Sequence, residues 1–162
     1  MTFDLYIAAF ALGRLGTSDL PSAAQQALEE GQDSPALRAL AGCLPGERSA
    51  FELDAMWQRT LRELGRVVPN RIEAGHHLIR HFAQLVASGT LPPRIGAYEI
   101  VCLAAELERD LPSRQFAGDG FGVAKLYGDY YSHEYVSPED SRLHEEIDRE
   151  LMAECERLAR GA

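Results

Sequence analysis

Residues 49–89 read SAFELDAMWQRTLRELGRVVPNRIEAGHHLIRHFAQLVASG. Ser49 has Glu52 three residues after it, and Asn70 has Glu73. In that arrangement the first side chain accepts a free N–H of the opening helical turn and the second reaches back to the N–H of the first. Behind the first cap, Leu53, Met56, Trp57, Leu61 and Leu64 recur at three- and four-residue spacing, and Gly65 follows as a stop. Behind the second, Ile72, Leu78, Ile79, Phe82, Leu85 and Val86 run to Gly89. Two amphipathic helices are expected here, joined by Val67-Val68-Pro69 as a short extended link.

The same spacing continues in both directions. Phe3 to Leu15 carries Leu5, Ala8, Ala9, Leu12 and Leu15 at helical intervals, closed by Gly13 and Gly16. A second helix is expected from about Ser18 to Pro21, through Ala24, Ala27 and Leu28, to Gly31. Asp33-Ser34-Pro35 starts a short third one, with Asp33 or Ser34 as cap, Leu37, Leu40 and Ala41 inward, and Gly42 at its end. Leu44-Pro45-Gly46 is a turn. Towards the C-terminus, Pro92-Pro93 opens a helix whose apolar residues Ile95, Tyr98, Ile100, Val101, Leu103, Ala104 and Leu107 lie on more than one face, the pattern of a buried element. Leu111 to Tyr135, with four glycines and a proline among aromatic residues, is the least regular stretch. Ser137-Pro138-Glu139-Asp140 caps a last helix to about Arg160, with Leu143, Ile147, Leu151 and Leu158 inward. No segment alternates as a strand does, and no motif recurs at a fixed interval. The reading is all-α: one domain over residues 1–162, a bundle or irregular array of about seven to eight helices.

A chain of 162 residues is long enough to bury about 70% of the surface its unfolded form exposes. Its 46% hydrophobic and 25% charged content belongs to a globular protein. No apolar run approaches the ~18 residues that cross a bilayer, and Asp4 stands where a secretory signal would be basic, so a cytoplasmic location without membrane association is expected. Cys43, Cys102 and Cys155 are far apart, and the expectation is reduced thiols, two of them in the core. The net charge of −9 disfavours nucleic acid and favours a basic partner if the partner is a macromolecule. The acidity gathers at the end: Glu134 to Ala162 holds nine acids against four arginines.

No residue pattern names a catalytic centre or a cofactor. His77 and His81, four apart on one helical face, could share a metal, with His76 adjacent. The glutamate of a zinc-hydrolase motif is missing, and further ligands would have to come from His133, Glu134 or His144. The plainer reading has His77 and His81 covering a partly buried face and His76 exposed, so neither metal nor cofactor is expected. Gly118-Asp119-Gly120-Phe121-Gly122 lacks the preceding strand and following lysine of a phosphate loop and reads as a flexible connection. Glu29-Glu30, Glu145-Glu146 and Asp148-Glu150 fall in solvent-facing helical patterns, where carboxylates do no acid–base work.

Tyr127, Tyr130, Tyr131 and Tyr135 form the most suggestive cluster: four of the six tyrosines within nine residues, interleaved with Gly128, Asp129, Ser132, His133 and Glu134. Tyrosine offers contact area and a polar tip at low entropic cost, which suits an interface. The structural alternative has Tyr127 and Tyr131 anchoring the segment to the core and only Tyr130 and Tyr135 partly exposed.

The run Asp33-Ser34-Pro35-Ala36-Leu37-Arg38-Ala39-Leu40-Ala41-Gly42 resembles the D-S-P-A-L-R-x-L-A-G segment near the N-terminus of a family of small, helical, largely uncharacterised bacterial proteins. Phe51 through Gly65 resembles the next helix of that family. Phe116, Tyr127 to Tyr135 and the acidic last helix resemble its aromatic C-terminal half. The resemblance implies a helical fold and no active site, and Gly118 to Gly128 departs from the pattern. The function expected from these features is a protein-binding module, of the immunity or antitoxin type, that neutralises a toxin through an acidic, tyrosine-rich surface. Tyr127, Tyr130, Tyr131 and Tyr135 would anchor it, with Asp129, Glu134, Glu139 and Asp140 steering a basic partner. The alternatives are a metal-dependent helical enzyme centred on His77 and His81, and a regulatory adaptor that self-associates as a homo-oligomer through an apolar helix face.

Overall fold

The structure is a computed structural model that describes residues 1–111, 118–132, 135–137 and 139–161. Among these residues there are eight α-helices and no strand: α1 (Phe3–Ala11), α2 (Leu20–Glu29), α3 (Pro35–Ala41), α4 (Ala50–Glu63), α5 (Arg71–Ala87), α6 (Pro93–Leu107), α7 (Ala124–Ser132) and α8 (Ser141–Arg160). The all-α reading therefore holds, and no described helix is long and apolar enough to cross a membrane. The chain divides into two compact units, Met1–Ala74 and Gly75–Ala162.

In the first unit α2 packs on α3 and α3 on α4. Trp57 of α4 is fully buried, with the rings of Phe3 and Phe10 at centroid distances of 5.5 and 5.6 Å. Leu20, Leu37, Leu40 and the alanines of α2 complete this core. Helix α1 ends at Ala11, four residues short of the expected Leu15: the backbone turns off at Gly13, and Arg14 donates its N–H back to Ala9. Both expected capping boxes are present. Ser49 Oγ accepts the Glu52 N–H and Glu52 accepts the Ser49 N–H, while Asn70 and Glu73 exchange bonds of 2.9 and 3.1 Å.

Geometry resolves the cap of α3. Ser34 is buried and its Oγ accepts the Leu37 N–H at 3.1 Å. Asp33 instead pairs with Arg38 at 2.5 Å. The remaining free N–H of the first turn, on Ala36, donates to Glu63 Oε2 at 2.8 Å, and Arg59 holds the other carboxylate oxygen at 2.8 Å. The last turn of α4 thus caps the first turn of α3.

In the second unit α6, α7 and α8 pack on one another. Helix α6 buries Gly96, Ala97, Ile100, Val101, Leu103, Ala104 and Leu107, as its apolar faces suggested. Gly96 is required by close approach, because a Cβ there would overlap the Val86 side chain of α5. Helix α8 is capped by Asp140, whose Oδ1 accepts the Leu143 N–H at 3.1 Å, and turns Ile147, Leu151, Cys155 and Leu158 inward. Leu143, expected inward, is exposed because it sits in the opening turn of the helix. One cysteine rather than two is fully buried: Cys155, whose thiol burial pushes up to about 12 and so keeps protonated, while Cys43 and Cys102 are half-buried.

Hydrogen bonding to the Ala36 amide and then to Arg59 holds the Glu63 carboxyl below its ordinary 4.5. As pH falls, the unfolded chain takes up this proton first, so the stabilisation by Glu63 is complete above 4.5 and is lost as pH drops through the lower folded-state value. Glu63→Gln is expected to lower the denaturant midpoint near neutral pH, with the gap to wild type closing in acid. A gap independent of pH would show that the charge on Glu63 contributes nothing.

Candidate functional site

Helix α7 lies inside the stretch that reads as least regular, and its start is built rather than loose. Gly118 is buried in the left-handed conformation, with φ of 85°, and its N–H donates to the buried carboxylate of Glu108. Its carbonyl accepts the N–H of Val123 at 2.8 Å, and a Cβ at this position would sit 2.8 Å from the Ala124 nitrogen. Residues 118–122 therefore form a tight turn, not the flexible connection expected. Arg157 of α8 pins it by donating to the Gly122 carbonyl at 2.5 Å while pairing with Glu154 at 2.6 Å.

From that turn α7 sends Leu126 into the core, fully buried, and brings its tyrosines into a ring network. Tyr127 stacks against Tyr131 at 5.0 Å, Tyr131 meets Tyr130 edge to face at 5.3 Å, and Tyr130 meets Tyr98 of α6 at 6.1 Å. These separations fall in the range of favourable aromatic pairs. Tyr127 and Tyr130 are half-buried, whereas Tyr131 is 38% and Tyr98 51% exposed. Leu126 rather than Tyr131 anchors the segment, which corrects the alternative reading of the cluster. Tyr135 is 89% exposed and makes no ring contact with the others among the described residues.

Tyr98 read as a core residue of α6, yet it belongs to this surface together with Ile95, also 51% exposed. The signal was available: Ile95, Tyr98 and Cys102 are spaced three and four apart, a second stripe beside the buried one. Hydrogen bonding with Cys102 raises the Tyr98 phenol above its ordinary value, and hydrogen bonding with Tyr131 does the same for Tyr127. Both hydroxyls keep their protons at neutral pH and remain donors.

Two of the acidic residues expected to steer a partner, Asp129 and Asp140, are engaged within the fold. Asp129 is largely buried and pairs with Lys125 at 2.6 Å; Asp140 is the cap of α8; Glu139 is exposed, and its N–H donates to Ser137 Oγ at 3.5 Å. Glu134, His133, Phe116 and Pro138 lie outside the described residues. At the start of α8, Asp148 accepts from Arg94 at 3.0 Å, and His144 Nδ1 lies 3.0 Å from the same guanidinium.

His77 is exposed and His81 half-buried, and no group of three His, Cys, Asp or Glu among the described residues is placed to hold a metal. Partial burial holds His81 below its ordinary 6.5. His76 is exposed but lays its ring on Phe121 at 4.9 Å, and that cover, followed by the nearby Arg80 charge, lowers it as well. Comparison of the chain with protein-family models, curated proteins and solved structures finds no match.

If Leu126 is the anchor and Tyr131 a surface residue, Leu126→Ala should cost about 2–5 kcal/mol in chemical denaturation. Tyr131→Ala should cost less than Leu126→Ala, at about 0.5–1.5 kcal/mol for each of its two ring contacts. The reverse order would place the Tyr131 ring in the core.

Proposed function

We propose that the protein is a cytoplasmic protein-binding module, an inhibitor of the immunity or antitoxin kind, that captures a basic protein on the tyrosine surface of α6 and α7. The observation that carries this reading is the unbroken chain of ring contacts Tyr98–Tyr130–Tyr131–Tyr127, in which Tyr98 and Tyr131 are open to solvent. Rings already packed against each other lose little entropy on binding, and their faces attract arginine and lysine side chains. A net charge of −9 draws a cationic partner from a distance, even where individual acids are held in caps and ion pairs.

The test is affinity capture from the native host with the whole chain as bait. The expected result is a stable basic partner whose binding weakens as salt is raised. Replacing Tyr98 and Tyr131 together by alanine should weaken it by roughly 30-fold or more, the scale of an interface hot spot. Finding no basic partner, or one indifferent to both substitutions, would end the proposal.

A further inference from the structure

The first unit contains a cavity of about 420 Å³, within the roughly 300–1,000 Å³ range of small-molecule sites. One wall is the short turn Thr17–Asp19, which carries Thr17 and Ser18, together with the start of α2, which carries Ser22. The other is the loop from Cys43 to Arg48 and the first turns of α4. Leu53, buried, and Leu44, 70% exposed, supply apolar surface on that side.

Its lining differs in charge from the chain as a whole. The protein has 25 acids and 16 bases, yet among the described residues lining this cavity none is acidic and Arg48 alone is ionised. Arg48 has two long ion pairs: it donates to Glu52 Oε1 at 3.5 Å, and Glu47 Oε1 lies 3.9 Å away. Each of those carboxylates uses its other oxygen locally. Glu52 Oε2 accepts from the Ser49 N–H and hydroxyl at 2.9 and 2.8 Å, and Glu47 Oε2 accepts the Leu44 N–H at 3.0 Å. No described residue hydrogen-bonds the side chains of Thr17, Ser18 or Ser22. A guanidinium with weak partners, three available hydroxyls and an apolar wall match a ligand that is anionic at one end and apolar at the other.

We propose that this cavity binds a small organic carboxylate with a short apolar body. Arg48 supplies the charge, the hydroxyls of Thr17, Ser18 and Ser22 supply hydrogen bonds, and Leu44 and Leu53 cover the apolar part. The site is separate from the tyrosine surface and does not depend on that surface having a partner.

The experiment is a titration of the isotope-labelled whole chain, followed by amide resonances, with octanoate and benzoate as probes and octanamide and octylamine as controls. Saturable shifts confined to residues 17–25 and 43–53 are expected for the carboxylates, with a dissociation constant of about 1 mM or tighter. Octylamine should leave these amides unshifted. Arg48→Gln should weaken binding at least tenfold, and Ser22→Leu, which fills the cavity, should block it. Both positions are exposed, and the remaining resonances report whether each variant stays folded. The inference fails if neither carboxylate gives saturable shifts up to about 20 mM. It fails equally if the amine binds as well as the acid, or if Arg48→Gln changes nothing.

Discussion

The tyrosine surface depends on one backbone constraint at position 118. A side chain there would run into the Val123–Ala124 backbone, and the left-handed conformation that brings the two segments so close is open to glycine at little cost. Glu108, buried at the end of α6, receives the Gly118 N–H and fixes where the turn begins. From this turn α7 starts in one direction only, with Leu126 inward and the tyrosines towards Tyr98.

The first unit is organised around capping rather than around a long helix. Helix α3 has seven residues, too short to be stable alone. It persists because Ser34 and Glu63 between them accept two of its free N–H groups while Leu37 and Leu40 are fully buried. The segment Asp33-Ser34-Pro35 is accounted for by capping, which concerns fold and not chemistry. Trp57 is the largest side chain in this core, and its Nε1, like Thr60 Oγ1, has no partner among the described residues. Each orphan costs about 1–3 kcal/mol, a penalty that the apolar area of the buried indole offsets.

Charge in this protein works at two ranges. Near the tyrosines the acids are absorbed: Asp129 by Lys125, Asp140 by the first turn of α8, Asp148 by Arg94. Groups paired in this way no longer offer direct contacts to a partner, yet they still count towards the long-range field of an acidic chain. The cavity beside Arg48 differs in its lining, which among the described residues carries one arginine and no acid.

By itself the sequence determined the helices and most of their ends, because spacing and capping are local: a carboxylate three residues after Ser49 or Asn70 can reach only one N–H. It also determined the buried stripes of α4, α6 and α8, where period and burial coincide. Tertiary structure alone decided which of two apolar stripes on α6 stays open, and so moved Tyr98 from expected core to surface. It likewise decided that a glycine-rich run is a rigid turn leading into a helix, since the partner that makes it rigid, Glu108, is ten residues away in sequence.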